Sequence, residues 1–136
     1  MAPQGTPVTG IQIEVSPGEL LDKLSILEIK SERIAEPAKL RNIRHELGLY
    51  RYMRARRIPA GDAMDALVGA LKSVNEALWQ IEDEIRACEA RQDFGDKFVE
   101  LARSVYRTND RRAEIKRQIN VLCGSSIIEE KSYTRY

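Results

Sequence analysis

The sequence predicts an all-α protein, and three observations carry that prediction. Apolar residues recur at three- and four-residue spacing over most of the chain, aromatic residues make up only 6% of it, and charged residues reach 32%. Such spacing lays an apolar stripe along one side of a helix and leaves the rest to charge, whereas sheets draw on aromatic and β-branched residues. The length of 136 residues, with 43% hydrophobic residues, suits one core.

Residues 1–10 hold two prolines and two glycines without periodicity and read as a flexible N-terminal tail; residues 11–136 then form a single helical domain. IQIEV, residues 11–15, alternates apolar and polar as a short extended segment before the first helix. It has three readings: pairing with SIIEE near the C-terminus, pairing across a dimer, or standing extended.

Ser16 is a good N-cap, Pro17 suits the first helical position, and Glu19 at the third completes a capping box, so a first helix runs over 17–35. Pro37 and the residue before it end that run. A second helix covers 38–56. IPAGD breaks it and supplies Asp62 as a new cap. The third helix covers 63–91, and QDFGD punctuates before a fourth over 96–122, closed by Gly124. The short connection between the two longest helices makes them a long antiparallel hairpin. Their narrow stripes leave an apolar seam, which favours a homodimer.

Lysine and arginine total 22 against 21 acids, so no overall charge selects a polyanionic partner. No apolar run approaches the roughly 18 residues of a membrane span. MAPQGTPVTG lacks a basic region followed by an apolar one, so it is no signal peptide. Cys88 and Cys123 stand on different helices and read as reduced core thiols. The expected compartment is the cytoplasm.

The stripes themselves contain polar residues. Asn109, Arg112 and Lys116 interrupt the fourth helix, Asn75 and Glu82 the third, and Glu28 the first. In an antiparallel hairpin turning near residue 94, Asn75 and Glu82 come level with Asn109 and Arg112 to within about one helical turn. Unpaired charge in a core is costly, so these groups are paired with each other, wetted, or occupied by a ligand. The set Glu28, Asn75, Glu82, Asn109, Arg112 and Lys116 is therefore a candidate anion pocket as well as a candidate ion-pair network that fixes helix register.

The second helix holds Lys39, Arg41, Arg44, Arg51, Arg54, Arg56 and Arg57 against a single acid, Glu46, with Tyr50 and Tyr52 interleaved. Arg44, Arg51, Arg54, Arg56 and Arg57 are candidates for binding nucleic acid; the alternatives are a solvated face or neutralisation by the acidic IEDEI of the third helix. ELLD, residues 19–22, matches half of the paired ExxE and ExxD pattern with which helical pyrophosphatases bind magnesium. The second half is missing, so no cofactor is expected and magnesium is the one ion the pattern leaves open. His45 is the only histidine, and neither a zinc ligand set nor a phosphate-binding glycine loop occurs.

SPGELLDKLSILEIKSERI, VNEALWQIEDEIR, FVELARSVYRTNDRRAEIKRQIN and EEKSY together resemble an uncharacterised family of small bacterial proteins, a domain of unknown function, over residues 14–136. The resemblance implies a bacterial cytoplasmic protein and carries no reaction and no catalytic residue. The reading that follows is a binding or assembly module with an internal polar network. Its alternatives are an enzyme or binder acting on a phosphorylated or carboxylated small molecule at Arg112 and Lys116, and a nucleic-acid binder using the second helix.

Overall fold

A computed structural model describes residues 5–136 and contains four helices: α1 (Pro17–Arg33), α2 (Pro37–Arg57), α3 (Asp62–Ala90) and α4 (Asp96–Cys123). The fold is all-α, and α3 and α4 form the expected hairpin. The N-terminal tail expected over 1–10 falls in part on residues 1–4, outside the described residues.

Local chemistry sets the helix ends. The Ser16 hydroxyl accepts from the Glu19 backbone N–H at 3.1 Å, and Pro17 opens α1. The other half of the expected capping box does not form, because the Glu19 carboxylate turns to Lys116 instead. α1 stops at Arg33, two residues before its expected end, where Ile34 turns extended at φ −93° and ψ 129°. Asp62 proves to be the first residue of α3 rather than its cap; Gly61, at φ 154°, occupies the cap position without a side-chain bond. At that first turn the Asp62 carboxylate still complements the helix dipole. Gly124 closes α4 in the left-handed conformation, φ 65° and ψ 37°, as the sequence predicts.

α1 occupies the centre. Its backbone approaches α2, α3 and α4, whereas α2 comes close only to α1. Leu21, Leu24 and Leu27 of α1 pack with Ile43 and Leu47 of α2, Met64 and Leu71 of α3, and Ile115 and Ile119 of α4. At the tip of the hairpin Phe94 and Phe98 meet edge to face at 5.3 Å. Cys88 is buried, Cys123 half-buried, and both are free thiols.

Among the described residues there is no strand. IQIEV belongs to no helix or strand, with Ile11 82% and Ile13 78% exposed. The C-terminal segment does not pair with it. That segment runs back along α4, where Glu129 meets Lys116, Glu130 meets Arg117, and the Tyr136 hydroxyl donates to Asp110.

Candidate functional site

The apolar stripes of α1, α3 and α4 meet at a charged cluster built on Asp22, which is 1% exposed. α1 touches three neighbours, so more than one of its sides is buried, and Asp22 points at α4. There Arg112 donates through Nε to Oδ1 at 2.9 Å and through Nη2 to Oδ2 at 2.5 Å. This two-pronged contact is the geometry for which the guanidinium fork is suited. Asn75 of α3 donates through Nδ2 to Asp22 Oδ1 at 2.9 Å and to Ser25 Oγ at 2.7 Å. The Ser25 hydroxyl in turn donates to the Asp22 carbonyl at 2.8 Å.

One turn further along α4, Lys116 Nζ reaches Glu19 at 2.7 Å, Glu129 at 3.0 Å and Asp22 at 3.8 Å. One more turn on, the Asn120 side-chain carbonyl accepts from the Gly18 backbone N–H at 2.7 Å. Gly18 is obligatory at this approach. A Cβ there would sit 2.6 Å from the Lys116 carbonyl and 2.9 Å from Asn120 Oδ1. Among the described residues every buried side-chain nitrogen or oxygen in the molecule has a hydrogen-bond partner.

The electrostatics follow from this wiring. Burial pushes the Asp22 carboxyl up, but hydrogen bonds from Arg112 and Asn75 and the charges of Arg112 and Lys116 outweigh it and hold the group below its ordinary value. The hydrogen bond to Asp22 raises Arg112. Burial lowers Lys116, and its bonds to Glu19 and Glu129 more than restore it, so it too is raised. The bond from Lys116 draws Glu129 down.

Three of the six residues proposed from sequence meet here: Asn75, Arg112 and Lys116. Glu82 shares a neighbouring groove with Asn75 and Arg112 without reaching Asp22, and Glu28 and Asn109 lie elsewhere. Glu82 lies seven residues beyond Asn75, about 10 Å along the helix, and pairs on the surface with Arg86 at 3.5 Å, its own side chain 51% exposed. Glu28 lies six residues beyond Asp22 and faces Lys72 at 3.8 Å on the flank between α1 and α3. Asn109 lines a separate cavity of about 1000 Å³ between α4 and the C-terminal segment, with Tyr106, Asp110 and Tyr136. The groove shared by Glu82, of about 410 Å³, has Asn75, Glu82 and Arg112 in its lining together with Ile26, Leu78 and Trp79.

Sequence reasoning passes over Ser25, Asn120 and Glu129, and takes Asp22 only as half of a magnesium motif and not as the centre of an ion-pair cluster. One signal was available: Arg112, Lys116 and Asn120 stand at i, i+4 and i+8 on one face of α4, opposite Gly18, Glu19 and Asp22 on α1. In ELLD, both carboxylates are occupied by α4 cations. Among the described residues no three histidine, cysteine, aspartate or glutamate side chains converge as a metal site.

The basic residues of α2 divide. Arg54 reaches Asp65 at 4.0 Å and Lys39 reaches Glu36 at 3.2 Å. Arg56 lies over the Tyr52 ring at 5.2 Å. Arg44, Arg51 and Arg57 are exposed and form no ion pair among the described residues. The acidic IEDEI of α3 does not neutralise them, since α2 packs on α1 and Glu82 pairs within its own helix.

Fold and cluster together define a four-helix protein locked through a buried, charge-balanced contact between its first and last helices. The chain belongs to the family described as a family of unknown function (DUF6165), whose model matches residues 11–136. Nothing among curated proteins or solved structures matches it. No helix among the described residues is long and apolar enough to cross a membrane.

Proposed function

We propose that this is a small bacterial cytoplasmic binding and assembly module, that its single helical domain pairs with a second copy of itself, and that its internal polar cluster fixes the register of the helices presenting the contact surface. The observation that carries the reading is an apolar patch where the start of α3 meets the end of α4. It is a shallow groove of about 670 Å³, lined by Ala63, Ala66 and Leu67 on one side and Val121 and Leu122 on the other. Val121 is 69% exposed and Leu122 49%.

The patch offers holes at the alanines and knobs at Val121 and Leu122, and its rim holds both Glu114 and Arg117. A surface carrying both members of each match is self-complementary about a two-fold axis. Exposed apolar groups so arranged mark association sites more often than scattered ones do. The Arg112 and Lys116 cations are already held by carboxylates, so an anionic substrate would have to displace Asp22 or Glu129 to reach them.

Sedimentation velocity over a concentration series tests the reading. Wild type is expected to dimerise, and Val121→Glu to remain monomeric with an unchanged helical spectrum. A wild type that stays monomeric at every concentration would refute it. A second reading rests on the outer edge of Arg112, whose side chain is 29% exposed beside the Trp79 groove: there the protein would bind a small phosphorylated or carboxylated molecule, and such a compound would raise its melting point.

A further inference from the structure

Only Ile43 and Leu47 of the 21 residues of α2 are buried, and both are spent on α1. At about 100° per residue, Arg41, Arg44, Arg51 and Arg56 fall in one sector of about 140°, centred about 130° from the buried pair, with Arg51 at the edge about 40° from Leu47. All four are exposed, and none forms an ion pair among the described residues. The acid of the helix, Glu46, instead faces Lys23 at 3.9 Å. Between the arginines lie Gly48 and Ala55; nothing stands within 4 Å of where a Gly48 Cβ would be. The row therefore borders a low, open floor. Arg56 donates to the Tyr52 hydroxyl at 2.7 Å, which holds its guanidinium in place on the rim.

We propose that this outer face of α2 binds the phosphate backbone of double-stranded DNA, a role separate from self-association at the α3–α4 patch. From Arg41 to Arg56 the row spans about 22 Å, and a major groove about 12 Å wide admits a helix. Arginine forks match phosphate oxygens in pairs. The whole chain carries a formal charge of only +1, so the cationic excess of α2 is balanced by acidity elsewhere, and that balance orients α2 toward the polyanion. A membrane surface fits less well. An interfacial helix inserts a broad apolar side; here Ile43 and Leu47 are buried against α1, and only Leu49, Tyr52 and Met53 remain exposed among the large apolar side chains of the helix.

The test is fluorescence anisotropy with a labelled duplex of about 20 base pairs over a salt series, on wild type, on Arg44→Ala with Arg51→Ala, and on Lys97→Ala with Arg111→Ala as a charge-matched control. Four phosphate contacts predict a slope of log K against log salt near −3.6, falling by about 1.8 in the α2 double variant, with roughly tenfold or greater loss of affinity at low salt. The control is expected to match wild type. All four substituted residues are exposed, and a circular dichroism melt confirms that each variant is folded. Absence of DNA binding by wild type, equal binding by both double variants, or binding to phosphatidylserine vesicles without binding to DNA would each overturn the proposal.

Discussion

Arg112 and Asp22, 90 positions apart in the chain, meet as a two-pronged ion pair that joins the first helix to the last. Asp22 is buried and Arg112 is its principal counter-charge, so the two ends of the contact are unequal. Removing the arginine strands a carboxylate in the core. Removing the aspartate frees a guanidinium that already touches solvent.

Arg112→Ala is therefore expected to destabilise the protein by about 3 kcal/mol, the low end of the range for a broken buried pair, because Lys116 stands near enough to soften the loss. Asp22→Asn combined with Arg112→Leu is expected to cost less than Arg112→Leu alone, since the near-isosteric amide leaves no stranded charge. Urea unfolding of the three variants measures both differences.

Gly18→Ala adds one methyl group where a Cβ would meet the Lys116 backbone carbonyl at 2.6 Å. The backbone cannot swing aside as a side chain can. A cost of about 1–3 kcal/mol is expected, together with loss of the Gly18–Asn120 bond, seen as faster amide exchange at residue 18.

Glu82 and Asn75 separate the surface from the cluster. Glu82→Ala removes an exposed pair within one helix and is expected to change stability by less than about 0.5 kcal/mol. Asn75→Ala leaves one oxygen of a buried carboxylate short of a donor and is expected to cost about 1–3 kcal/mol. Thermal unfolding of both variants beside wild type checks the contrast.

Acid separates Asp22 from the surface carboxylates. Its folded value lies below the ordinary 3.8, so the folded chain keeps it ionised where the unfolded chain takes up a proton. Its contribution is complete above pH 3.8 and is lost as pH falls through the lower folded value. Lys116, raised above 10.5, contributes fully below that value and loses its share as pH rises through the folded one. The stability gap between wild type and Asp22→Asn should therefore narrow on acidification below the ordinary carboxylate range, and denaturant midpoints across pH will show it.

The four helices were legible because their signals are local: Pro17, Pro37, the IPAGD break and Gly124 act on their own neighbours. Asn75, Arg112 and Lys116 were legible as misfits, polar groups on stripes that otherwise run apolar. Asp22 was not. Leu21, Leu24 and Leu27 mark one side of α1, and the periodicity cannot say that a central helix is covered on a second side as well. Glu129 could not be found from spacing, because it arrives on an irregular segment after α4. Glu82 shares a groove with Asn75 and Arg112 but does not reach Asp22, and Asn109 faces another cavity; hairpin depth is readable only to about one turn, which is too coarse to separate these positions. Charge alone points to IEDEI as a screen for α2, but charge does not reveal that α2 docks on α1.

The central claim is that the Asp22–Arg112–Lys116 cluster is a lock and not a ligand site. Thermal melting of wild type and Arg112→Ala, each alone and with phosphates, nucleotides and magnesium, tests it most directly. The lock predicts a much lower midpoint for the variant and no compound that shifts either protein. A compound that raises the wild-type midpoint and leaves Arg112→Ala unmoved would contradict it and make the cluster a binding site.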